Sequence, residues 1–164
     1  MKKIKIFLLT IASSIGAFAA DIEVTPGQLE SLWGEGGKGQ SELKLKGSID
    51  ARDLAALENL SSDVKSLDLS EVTIKGLTTS SRKYFGRTLF AEGEIPAYTF
   101  FKSSIENLAL PAGVTNICDG AFAGAAITSI EIPEGVTSIG DYAFYGCPAL
   151  AEVKLPGLCP TRCR

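Results

Sequence analysis

The chain contains no histidine among its 164 residues, and its four cysteines are held back to positions 118, 147, 159 and 163. Without histidine, the Ser–His and Cys–His pairs that activate a nucleophile are unavailable. A mixed Cys/His metal site is excluded for the same reason, and the cysteine spacing matches no metal motif. No metal, cofactor or catalytic residue is therefore expected. Nor do the cysteines frame a domain. Cys159 and Cys163, with three residues between them, are the candidate disulfide pair, left open because an exported chain can oxidise them and a reduced pair is equally compatible with the spacing.

Long apolar runs are also scarce. The first is Ile6 to Ile15, behind the basic residues Lys2, Lys3 and Lys5 and ahead of Ala17-Phe18-Ala19. A basic start, a short apolar core and a small-x-small site read as a signal peptide over residues 1–19. The run is too short for a transmembrane anchor, and nothing after it looks membrane-spanning. Export to the cell surface or medium is expected, with the periplasm as the alternative. Removing the leader takes three of the 16 basic residues and none of the 19 acids, which leaves a charge near −6. That balance argues against nucleic acid as a partner.

What the chain does have is repetition. "LALPAGVTNICDGAFAG" from Leu108 and "IEIPEGVTSIGDYAFYG" from Ile130 are identical at nine of seventeen positions and start 22 residues apart. Phe100, Phe122 and Phe144 keep that interval, as do Ile95, Ile117 and Ile139. Such a period marks a solenoid, whose unit cannot bury its own apolar face and must stack on a neighbour. In each unit an apolar-x-apolar triplet (Leu108 and Leu110, Ile130 and Ile132, Val153 and Leu155) gives one short strand, and Pro111, Pro133 or Pro156 ends it. Gly113 and Gly135 are expected at positive φ in the following turn. Asp141 is placed to cap a short helical turn carrying Ala143 and Phe144, with Gly146 closing it.

Two earlier alternations, Leu43-Lys44-Leu45 and Leu67-Asp68-Leu69, read as degenerate rungs over residues 43–70. Leu54, Leu57 and Leu60 between them have helical spacing. Residues 20–42 read as an N-terminal cap, in which Thr25 and Gln28 form a capping box and Pro26 starts a helix. Residues 71–94 read as an inserted polar loop, 95–156 as the regular repeats, and 157–164 as an irregular, truncated end. About five rungs with a 22–24 residue period are expected.

These motifs resemble the BspA-like leucine-rich repeats of surface and secreted proteins of Bacteroidetes and other host-associated microbes. The resemblance covers roughly residues 42–156. It implies an α/β right-handed solenoid with a parallel β-sheet on one face and short helical turns on the other. It also implies a non-enzymatic module that binds proteins or other macromolecules at the cell surface, in some members host extracellular matrix.

The outward side chains of the strands are then the candidate binding residues: Asn107, Ser129, Glu131, Glu152 and Lys154. Glu131 and Glu152 also tempt an acid–base reading. The outward row Lys44, Asp68, Ala109, Glu131, Lys154 favours a structural one, with opposite charges paired across neighbouring strands as Lys44–Asp68 and Glu131–Lys154. The phenylalanine ladder is expected in the core, with Tyr142 and Tyr145 exposed. Two other readings stay open: an accessory repeat domain of a longer exported enzyme, and a structural spacer.

Overall fold

The computed structural model describes residues 19–36, 40–60 and 64–156. The expected signal peptide over residues 1–19, except for Ala19, and the candidate Cys159–Cys163 pair lie outside them. The first coil begins with strand β1 (Ala19–Val24), turns at Thr25 to Gly27, and returns through helix α1 (Leu29–Gly36). The second runs from β2 (Glu42–Ile49) into α2 (Ala51–Leu60), and the third opens on β3 (Ser66–Ile74). Within residues 20–42, expected as an N-terminal cap, β1 adds a strand to the edge of the sheet beside β2. Leu29, Leu32 and Trp33 are buried in the common core, and α1 lies beside α2.

The capping box expected from Thr25 and Gln28 is replaced by a residue distant in sequence. Asp53, on the first turn of α2 and 1% exposed, accepts the backbone N–H groups of Gly27 at 2.7 Å and Leu29 at 2.9 Å. It also accepts the Asp50 N–H at 3.0 Å, while Asp50 accepts the Arg52 N–H at 2.8 Å. One carboxylate therefore satisfies orphan donors at the starts of two helices. Gly47, at φ +99°, lies so close to β1 that a Cβ there would meet the Val24 carbonyl at 2.6 Å.

Past β3 the polar insert is more ordered than a loop. β3 itself runs on to Ile74, and β4 (Leu77–Thr78) pairs antiparallel with β5 (Leu89–Phe90). Glu94 ties this hairpin down. It is buried, ion-paired with Arg87, and accepts the Ala91 N–H at 2.9 Å. Burial pushes its carboxyl pKa up, but the Ala91 and Arg87 hydrogen bonds outweigh this and hold it below the usual value. The same carboxylate accepts a hydrogen bond from the Cys118 thiol at 3.3 Å. Burial, and then the neighbouring Glu94 charge, push that thiol up to about 11, so it stays protonated and unreactive at neutral pH.

The regular coils follow. β6 (Glu94–Ile95) precedes β7 (Asn107–Ala109), β8 (Asn116–Ile117), β9 (Ser129–Glu131), β10 (Ser138–Ile139) and β11 (Glu152–Lys154). The main sheet is parallel throughout, in the order β1-β2-β3-β7-β9-β11. It has the five expected rungs and β1 as a sixth. A narrower parallel ladder, β6-β8-β10, forms where Ile95, Ile117 and Ile139 return to the core.

Opposite the main sheet these coils return through hydrogen-bonded turns, while among the described residues helical returns occur in the first two coils alone. Left-handed backbone falls at repeat-equivalent places: Tyr98, Gly120 and Tyr142 at φ +62°, +60° and +58°, then Lys102, Gly124 and Gly146 at +53°, +71° and +67°. Gly113 and Gly135, expected in that region, are not in it. Gly135 instead allows close approach, since a Cβ there would sit 3.1 Å from the Val114 carbonyl of the preceding coil. Inside, Phe100, Phe122 and Phe144 stack with centroids 5.3 and 5.2 Å apart and rings within 5° of parallel. The expected ladder is present, with Ala121 and Ala143 buried beside it.

Candidate functional site

Three-residue strands decide what the outer face of the sheet offers. In β7 and β9 the middle residue, Leu108 or Ile130, is buried and both flanking residues are exposed. Parallel register turns those flanks into two rows. One runs Glu42, Ser66, Asn107, Ser129, Glu152, and the other Lys44, Asp68, then Ala109, and Glu131 with Lys154.

A shallow groove of about 420 Å³ lies along the middle of these rows, lined among others by Asp68, Asn107, Ala109, Ser129, Glu131 and Lys154. Four of the five residues expected from sequence are thus brought together: Asn107, Ser129, Glu131 and Lys154. Glu152 stands in register with Ser129 but outside the groove lining. Asp68 and Ala109 belong to the groove and were not among the expected binding residues. The outward row contained both, so the signal was available.

The two expected charge pairs have different fates. Lys44 Nζ is 3.2 Å from Asp68 and 2.6 Å from Glu71. Hydrogen bonding to Glu71 and then to Asp68 raises the lysine pKa, and the Lys44 contact lowers that of Glu71. Burial raises the pKa of Asp68, but hydrogen bonds from the Ser70 side chain and backbone, with Lys44, bring it below its usual value. Glu131 and Lys154, by contrast, share a register position without an ion pair within 4.0 Å among the described residues. Lysine chains are flexible, and an exposed pair gains little by closing.

Away from this face, Tyr142 and Tyr145 stand on the turn side as expected, 72% and 70% exposed, with rings packed edge-on. Cys118 and Cys147 are half-buried free thiols. Among the described residues no cluster of three His, Cys, Asp or Glu side chains is placed to hold a metal. No described helix is long and apolar enough to cross a membrane.

One short strand per coil, a parallel sheet on one side and a period near 22 residues define a leucine-rich-repeat solenoid. Within that solenoid, residues 93–161 match the model of the BspA type leucine rich repeat region (6 copies). Among solved structures, the chain is similar to a leucine rich cell surface protein from Faecalibacterium prausnitzii A2-165, with 19% identity and a TM-score of 0.37. That similarity covers 82% of this chain and 38% of the other, so the chain spans well under half of its neighbour's length. No curated protein matches the chain.

Proposed function

We propose that this protein is an exported, surface-displayed recognition module, not an enzyme, and that the outer face of its sheet binds another protein. The observation that carries this reading is the groove. Asn107, Ser129 and Glu131 line it side by side, and their side chains make no hydrogen bond or ion pair within the described chain. Polar groups held at rung spacing on a rigid sheet have a pre-organised backbone, so little loop ordering has to be supplied on binding. The expected signal peptide supports export.

Binding of the purified chain to immobilised fibronectin, laminin and collagen, followed by biolayer interferometry, tests the reading. Ser129→Trp and Asn107→Trp fill the groove and are expected to weaken capture at least tenfold. Tyr142→Ala, on the turn side, is expected to leave capture unchanged. Capture that survives both tryptophan variants would move the binding surface off the sheet.

A further inference from the structure

Across the middle of the sheet the outward row changes sign symmetrically: Lys44, Asp68, Ala109, Glu131, Lys154. Ala109 is the one uncharged member, and its methyl group leaves a gap between two carboxylate-bearing rungs. Those rungs stand two strand spacings apart, about 9.6 Å. A planar guanidinium donating to one carboxylate on each side spans about 7 Å between the accepting oxygens, a distance the two acidic side chains reach by leaning inward over Ala109. An ammonium group, being a point donor, reaches only one of them.

The acids differ in readiness. Asp68 is held in place by Lys44 and by the Ser70 N–H at 2.8 Å, so its carboxylate is oriented before any ligand arrives. Glu131 has no ion-pair partner within the described chain and is free to close on a cation. Beside them, Asn107 and Ser129 offer neutral donors and acceptors suited to a peptide backbone. The outer lysines repel any second cation, which selects a single basic side chain over a polybasic segment.

From this charge order and spacing we propose that the notch over Ala109 seats one arginine side chain of a protein partner, its guanidinium bridging Asp68 and Glu131. The inference rests on the sheet-face reading above and gives it a partner chemistry.

The test is an amide-resolved NMR titration of the ¹⁵N-labelled full chain at low salt. The probes are N-acetyl-arginine amide and its uncharged isostere N-acetyl-citrulline amide. Arginine is expected to shift Asn107, Ala109 and Glu131 saturably, and citrulline at least tenfold more weakly. Asp68→Asn/Glu131→Gln should abolish the shifts. Ala109→Arg, which supplies the cation from within, should block the probe and raise Tm. Equal responses to both probes, or shifts that persist in the double variant, overturn the proposal.

The capture assay separates this idea from its parent. Loss of capture in Ser129→Trp with unchanged capture in Asp68→Asn/Glu131→Gln removes the notch and leaves the face. Unchanged capture in Ser129→Trp, Asn107→Trp and the double variant removes both.

Discussion

Residues 19–74 and residues 93–156 build one sheet by different means. The first half uses strands of 6, 8 and 9 residues, helical returns and a face closed over by its own charges. Lys46 reaches Asp21 at 3.3 Å and Glu71 at 3.8 Å, and Lys44 reaches Asp68 and Glu71. The second half uses main-sheet strands of three residues, turn returns and a stacked aromatic column. No ion pair crosses its main-sheet strands among the described residues. Where individual side chains hold the coils together, the face is spent on that task. Where repetition holds them, through backbone ladders and a buried column, the face stays available for another molecule.

The two halves should part most clearly when the aromatic column is cut. Phe122 is fully buried between two rings, so Phe122→Ala should cost about 3–5 kcal/mol in urea unfolding. The loss of hydrogen-exchange protection should be confined to residues 93–156. A smaller effect is expected at the corresponding anchor of the first half. Asp53→Ala leaves three backbone N–H groups without their acceptor and should cost about 2–3 kcal/mol, with exchange rising in α1 and α2. Equal rises in both halves would show that the two are not separable.

Glu94, where the hairpin meets the repeats, comes next, with Glu94→Gln expected to cost about 1–2 kcal/mol at pH 7. Its folded pKa lies below the ordinary value of 4.5. The stabilisation is therefore complete above that pH and disappears as pH falls through the lowered folded value. Thermal melts of wild type and variant should differ at pH 7 and converge as pH falls through that lowered value; a constant gap would remove the charge from the explanation. The smallest change expected is a gain. Tyr142 is largely exposed in left-handed backbone where the preceding coil has Gly120, so Tyr142→Gly should stabilise by about 0.5–1 kcal/mol. A loss in the same melts would mean that the ring does more than its exposure suggests.

These contrasts track how much of the molecule was readable in advance. Strands β7, β9 and β11, the phenylalanine column and the exposed tyrosines followed from period alone, because a solenoid forces equivalent residues into equivalent places. β1 is not legible in advance because "AADIEV" overlaps the end of the expected signal peptide and belongs to no 22-residue copy. The cap supplied by Asp53 lies 24 residues from Leu29, beyond the reach of a local capping rule. Misplacing the left-handed positions on Gly113 and Gly135 has a different cause. Glycine is needed for close approach as well as for positive φ, and sequence does not distinguish the two uses. The groove was legible as two rows of side chains. That Lys44 closes on Asp68 while Lys154 leaves Glu131 alone was not, since register fixes which residues face each other and not whether long chains meet.

The backbone bonds between turns carry one more implication. Phe100 N–H donates to Ala121 at 2.8 Å and Phe122 N–H to Ala143 at 2.8 Å; Thr115 N–H donates to Gly93 at 2.9 Å and Thr137 N–H to Thr115 at 2.9 Å. Each coil thus meets the next through the same main-chain groups its predecessor offered. A gene segment encoding one such unit can be duplicated or excised without inventing a new joint, provided the cut respects the 22-residue phase. Each added copy would lengthen the outer face of the sheet by about 4.8 Å while leaving the outward residues free to drift. Inheritance in this molecule works as on a ruler: the graduations are fixed by the main chain, and what is written against them can change.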